Sequence, residues 1–300
     1  MKFAIFLIQF FNLLVIAAVT RPGQYPAPSE VQTRVEAVKC LDKIPSKIGL
    51  KTSRYNALPY VHTKLNIQIH FVAQFLPWHR YFVHLYETAL RNECGYRSSM
   101  PYWDWTLDAK DMSKSPLFQK IRLGVSAAMG SMEGFNNFTV QYYDGALRPH
   151  CLNRGFNDGF NFAEKFQGKS YSPSAVSKII DRSMNLTRFA TVLENGPHGA
   201  IHQAVGGDLV PSTSPNDPIF FLHHAQINRL WWIWQQKNPK QRNTDYSGIR
   251  ILASGATESK PASPKDMLPM LGLGPDKQLS GMNHSVTIAW TYIHNMRCFR

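Results

Sequence analysis

Two stretches of this sequence gather histidines. "VHTKLNIQIHFVAQFLPWHR" carries His62, His70 and His79; "NGPHGAIHQAVGG" and the later "IFFLHHAQINRLWWIW" carry His198, His202 and the doublet His223–His224. Imidazole is a neutral nitrogen ligand for transition metals, and two of them four residues apart share one helix face, so His198 and His202 could meet one ion. With eleven histidines in the chain, that pair alone carries little weight. The doublet is more telling. In helical steps Phe220, His224, Ile227, Trp231 and Trp234 form one stripe, apolar except for His224, which should face the core. His223 falls instead with Ile219, Gln226, Leu230 and Ile233, which makes His224 the more deeply placed of the two. A buried neutral imidazole must satisfy both ring nitrogens; a metal plus one acceptor does so, and so does an ordinary core histidine bonded to backbone.

The histidines therefore fall into two trios: His62, His70 and His79, and His198, His202 and His224. Trios of imidazoles with no cysteine and no evident carboxylate suit zinc, copper, iron or nickel. A hydrolytic zinc pair usually has flanking carboxylates, whereas here only an exogenous oxygen ligand would offset the charge of two divalent ions. That is better matched by a copper pair cycling between Cu(I) and Cu(II) with dioxygen. His84 lies five residues past His79, about 140° around a helix, and reads as ordinary. His150, His284 and His294 have no companions at ligand spacing.

The elements that must hold these rings are helical. One helix opens at "LPWHRYFVHLYETALRNECG", with Pro77 in the first turn and Gly95 as its stop. A second opens at "NGPHGAIHQAVGG", with Pro just inside its start, and a third runs from the N-cap Asp217 through Pro218 to Trp234. Between the histidine-rich regions, "GSMEGFNNFTVQYYDGALRPHCLNRGFNDGFNF" reads as loops, and the turn-rich segments after Lys237 read as a tail wrapping back. The whole is one mainly α domain, residues 21–300, with long loop decorations and few short strands; 44% hydrophobic content in 300 residues is ample for its core.

Residues 1–20, MKFAIFLIQFFNLLVIAAVT, have the layout of a cleaved secretory signal peptide, with prolines following at once; a membrane anchor is the alternative. No other stretch is apolar enough to span a bilayer. In an oxidising compartment Cys40, Cys94, Cys151 and Cys298 are expected to form two disulfides, Cys40–Cys298 and Cys94–Cys151 being the preferred pairing. Asn137, Asn185 and Asn283 head sequons for glycans. A net charge of +13 is scattered, with no basic run and no nucleic-acid module, so no nucleic-acid partner is expected. A monomer is favoured.

The motifs "FLPWHRYFVHLYETALRNECGY", "PYWDW", "ENGPHGAIHQAVGGDL" and "SPNDPIFFLHHAQINRLWWIWQ" together resemble the central domain of tyrosinases and catechol oxidases, the type 3 copper proteins, in their short secreted fungal form. The resemblance is clear over residues 61–108 and 193–236. It implies a four-helix-bundle core, with His62, His70 and His79 on one copper ion and His198, His202 and His224 on the other. It implies an enzyme using O2 to oxidise o-diphenols to o-quinones, and in some relatives to hydroxylate monophenols. The phenol ring would sit near His224 and beneath Phe220, which matches a bulky residue overhanging the site. Glu194 matches an acid that orients a water beside the second copper. Asn228 stands where relatives commonly carry Asp, and Gly199 where some strong monophenolases carry Asn, which ranks catechol oxidation above tyrosine hydroxylation. Gln68 stands where some relatives carry a cysteine crosslinked to histidine, so no thioether is expected, nor is a C-terminal capping domain. The alternatives are a dedicated biosynthetic oxidase acting on a peptidyl tyrosine or a secondary metabolite, a haemocyanin-like oxygen carrier, and a decayed homologue.

Overall fold

Helix α3 (Phe75–Cys94) shows how the sequence dictates the frame. Pro77 sits in its first turn, where no backbone donor is lost, and its buried face includes Trp78, Phe82, Tyr86 and Leu90. Gly95 ends it in the left-handed conformation, φ 68°, returning its N–H to the Leu90 carbonyl. In the computed structural model, which describes residues 28–115, 117–118, 135, 138–143, 147–156, 168–251, 259–280 and 298–299, α3 is flanked by α1 (Pro28–Lys43), α2 (Ala57–Ile69) and α7 (Ile219–Gln236). The expected signal segment and Asn137, Asn283, His284 and His294 lie outside the described residues.

The third expected helix stands almost as read. α7 begins at Ile219, and the Asp217 carboxylate accepts from the Ile219 N–H at 3.0 Å. The second does not begin where its Pro suggests. α5 (Leu186–Leu193), capped by the Asn185 side chain on Arg188 N–H, runs straight into a π-helical turn over Glu194–His198 and then into α6 (Gly199–Val205). Pro197 is tolerated because the turn is kinked at Gly196. Around this frame lie α4 (Pro173–Arg182), the one-turn α8 (Pro239–Arg242), 3₁₀ turns, and strands of two to five residues. β2 (Thr139–Tyr143) pairs antiparallel with β3 (Leu147–Cys151), and β1 (Tyr102–Trp103) pairs parallel with Cys298–Phe299. The described residues are mainly helical, as expected.

The core is aromatic. Trp78, Trp103, Trp105 and Trp234 are fully buried with Phe82, Phe220 and Phe221, and Tyr86 stacks on Phe221 with ring centroids 3.6 Å apart. The tail does wrap back: Trp78 Nε1–H donates to the Pro269 carbonyl at 2.8 Å, and the Tyr81 hydroxyl to that of Pro275 at 2.9 Å.

The cysteine pairing differs from expectation. Cys40 on α1 is bonded to Cys94 at the end of α3, their Cα atoms 5.9 Å apart. This rules out both Cys40–Cys298 and Cys94–Cys151, and Cys151 on β3 is exposed and free. Helix packing decides the matter: α1 lies along α3 and brings the two thiols into bonding reach.

Past α6 the chain turns at Gly206 and Gly207 and is gripped by residues 153–156. Asn153 O accepts from Asp208 N–H at 2.9 Å, Asp208 Oδ2 accepts from Asn153 N–H at 2.7 Å, and Phe156 N–H reaches the Val205 carbonyl at 2.7 Å. Gly207 has φ 55°, and a Cβ there would collide with the Asn153 carbonyl.

Candidate metal centre

Four helical segments deliver seven imidazoles to one place. α2 carries His62 and, at its C-cap, His70; α3 carries His79; the π turn and α6 carry His198 and His202; α7 carries His223 and His224. They form two groups, His62, His70 and His79, and His198, His202, His223 and His224, and in each group one ring nitrogen per residue lies within 4.8 Å of the others. Neither group, among the described residues, includes a carboxylate or a thiolate. The groups face each other: the rings of His79 and His224 stack at 4.3 Å, and those of His70 and His198 lie 6.2 Å apart.

Most of the rings are oriented by main-chain carbonyls. Nδ1 of His62 lies 2.6 Å from Ser212 O, that of His70 3.0 Å from Asn66 O, and that of His79 2.8 Å from Phe75 O. Nδ1 of His198 lies 3.3 Å from Glu194 O and that of His202 2.5 Å from Leu209 O. A carbonyl only accepts, so these five rings carry hydrogen on Nδ1 and a lone pair on Nε2. Nε2 of His198 and of His202 is buried with no hydrogen-bond partner, as are both nitrogens of His224. Nε2 of His62 faces Nε2 of His79 at 3.3 Å, lone pair toward lone pair. Burial holds all seven imidazoles well below the ordinary histidine pKa, with His70 and His202 at about 4. Neutral, convergent lone pairs that no hydrogen-bond donor among the described residues satisfies fit a pair of copper ions, and the absence of carboxylate donors among them suits copper better than hydrolytic zinc.

Aromatic walls enclose the rings. Phe220, fully buried, lies 4.1 Å from His224 and 5.1 Å from His62, between the groups. His224 thus has the Phe220 ring tilted against it and the His79 ring stacked on it. Phe75, not singled out from the sequence, lies 4.9 Å from His198 and 5.1 Å from His79. A signal for it existed: Phe75 precedes His79 by four residues, as Phe220 precedes His224. Of the six sequence-chosen histidines only His70 and His202 are half-buried; His62, His79, His198 and His224 are buried.

Glu194 is buried at 3% exposure, and Oε1 accepts from the Phe71 N–H at 2.9 Å. Burial lifts its carboxyl to about 8, against the opposing pull of that amide. Phe71, directly after His70, is 68% exposed and adopts φ 57°, a conformation an aromatic residue takes only when held there. The bond to Glu194 therefore ties the loop behind His70 to the turn bearing His198. The doublet departs from expectation on one point: His223 and His224 are both 0% exposed, so depth does not separate them. His223 is distinguished by its partner, Trp105, whose Nε1–H donates to His223 Nδ1 at 3.1 Å. Asn228 is buried with neither side-chain atom bonded. His84 and His150 lie in neither group.

Comparison with known proteins agrees with this geometry. Residues 52–237 match the family model described as the common central domain of tyrosinase. A tyrosinase-like protein of Diaporthe leptostromiformis, phomQ1, is 36% identical over 290 residues, covering 88% of this chain and 74% of the relative. The tyrosinase ustQ of Aspergillus flavus is 35% identical over 249 residues, covering 79% and 69%. Among solved structures, a polyphenol oxidase from Thermothelomyces thermophila superposes with a TM-score of 0.65 at 26% identity, covering 91% of this chain and 86% of that one. The convergent imidazoles and the matched domain lead to one conclusion: the chain belongs to the tyrosinase family and is an oxidoreductase with a histidine-bound dinuclear copper site.

Proposed function

We propose that His62, His70 and His79 hold one copper ion, that His198, His202 and His224 hold the other, and that the enzyme oxidises o-diphenols with dioxygen to o-quinones. The observation that carries this reading is the set of Nε2 lone pairs fixed by carbonyls behind five of the rings, those of His198 and His202 without a protein partner and those of His62 and His79 facing only each other, with both nitrogens of His224 unbonded beside them. Bound copper supplies the electron transfer between diphenol and dioxygen. The chain supplies the rest. Phe75 and Phe220 exclude water from the space between the trios. The diphenol, which gives up two electrons and two protons, approaches from the side of His70 and His202, the two half-buried rings. Glu194 keeps the His70 loop in register with His198 through the Phe71 amide and orients a water beside that ring. Gly199 offers no side chain next to His198, which favours diphenol oxidation over monophenol hydroxylation. A signal peptide at residues 1–20 takes the chain into the secretory pathway, where the Cys40–Cys94 disulfide forms and Asn185 accepts a glycan.

The test is quinone formation by copper-loaded protein in air, with catechol and with tyrosine. Faster oxidation of catechol is expected. Equal or faster turnover of tyrosine overturns the substrate ranking, and quinone from neither would leave an oxygen carrier. One observation favours a second reading of the substrate. Phe71 and Val210, beside His70 and Leu209, are apolar and 68% and 54% exposed. Such a rim suits a phenol carried on a larger molecule, such as a peptidyl tyrosine, and turnover of a tyrosine-containing peptide above free tyrosine would support it.

A further inference from the structure

His223 and His224 are adjacent, equally buried, and both within the second histidine group, so burial cannot assign the metal to one of them. We infer that Trp105 fixes His223 in the Nε2–H tautomer and thereby reserves the metal for His224. The inference rests on the copper-ligand reading above and adds a positioning residue that acts through a non-ligand.

The indole N–H can only donate, so at 3.1 Å it requires a lone pair on His223 Nδ1. A neutral imidazole has one lone pair, and the hydrogen must then sit on Nε2. His223 Nε2 is buried and unbonded, like Nε2 of His198 and His202, but it presents a hydrogen where they present a lone pair. Five rings are set for ligation by carbonyls on Nδ1; His223 alone among the seven is set the opposite way by a donor there. His224 has both nitrogens free of protein partners.

Trp105 is held to this task. It is fully buried in the 3₁₀ turn Trp105–Asp108, and the preceding Asp104 accepts from Gln226 Nε2 at 3.0 Å. Gln226 and His223 are one turn apart on α7, so the "PYWDW" segment grips the only two polar side chains of that helix stripe at once. The His223 ring meets that of His202 edge to face, 5.0 Å apart at 88°, close enough to compete for the same ion if its tautomer were free. With that competition blocked, His198, His202 and His224 would hold the second copper and His223 would not add a fourth imidazole in place of an oxygen ligand.

Copper-free protein labelled with ¹⁵N-histidine reports tautomers directly by long-range ¹H–¹⁵N correlation, with His223 assigned by its absence in His223→Gln. The expected result is Nε2–H with bare Nδ1 at His223, Nδ1–H at the five carbonyl-bonded rings, and appearance of the Nδ1–H form of His223 in Trp105→Phe. Copper analysis should find two ions per chain in His223→Gln and one in His224→Gln. An Nδ1–H signal from His223 in the unsubstituted protein overturns the inference, as does loss of one ion in His223→Gln with both kept in His224→Gln. Where a variant does not fold, the tautomer in the unsubstituted protein decides. Failure of that protein to bind copper would remove the ligand assignment instead, and the nuclear resonance result would still decide the role of Trp105.

Discussion

At the scale of single residues, each carbonyl behind a ring does two things: it sets the tautomer and fixes the direction in which Nε2 points. Removing a ring should therefore cost a metal ligand while leaving its carbonyl partner in regular structure. We expect His202→Ala to lose one copper ion and diphenol oxidation together, whereas His84→Ala, outside both groups, keeps both; metal analysis and a catechol assay read the two outcomes. That His198 and His202 share a face was legible in the sequence because spacing on a helix is local information, whereas the second group also takes in His223, which the sequence reading set apart. The partner of His223 was not, since Trp105 lies 118 residues away and only the fold brings them together. Phe75 was legible in principle, from the Phe-x-x-x-His spacing it shares with Phe220, but an aromatic residue on an apolar helix face gives no reason to be singled out.

At the scale of elements, the placement of α7 depends on a buried ion pair. Arg154 Nε and Nη2 contact the two oxygens of Asp217 at 2.6 and 2.7 Å with both side chains fully buried, and Asp217 also caps α7 through the Ile219 N–H. Taking one partner away strands the other charge, at a cost of about 3–5 kcal/mol. Urea denaturation of Arg154→Met should show that loss, and Arg154→Met with Asp217→Asn should lose less than the two single changes summed. The start of α7 was readable from Asp217 and Pro218, because capping chemistry is local. The π turn at Glu194–His198 was not, since Pro197 signals a helix start, whereas the chain runs through it by kinking at Gly196. Cysteine pairing failed for a related reason: separation along the chain says nothing of α1 lying against α3.

At the scale of the molecule, seven neutral imidazoles in one core make the copper-free protein acid-sensitive. Their folded pKa values lie below the ordinary 6.5, so between that value and the folded values (about 4 for His70 and His202) the unfolded chain binds more protons than the folded one. The imidazole contribution to stability is then fully present above pH 6.5 and falls as pH drops, by about 1.4 kcal/mol per pH unit for each imidazole involved, opposed only in part by the buried carboxyl of Glu194, raised to about 8. Thermal unfolding of copper-free protein at pH 7 and pH 5 should show a lower midpoint at pH 5. Bound copper should raise both midpoints without removing the difference, because the folded imidazoles are already unprotonated at both pH values and the protons are taken up by the unfolded chain.

Gly207 carries a consequence for how damage to this protein would present itself. The backbone there is pressed so closely on Asn153 that a single added carbon has nowhere to go, and two residues further on is the carbonyl that aims His202. In Gly207→Ala the chain must lift from the 153–156 loop, and the displacement arrives at the metal as a misdirected ring. The variant should fold, keep every ligand it inherited, and still bind its second copper poorly. A fault in the turn that follows α6 would then pass, in any assay of metal content, for a fault of the ligands themselves.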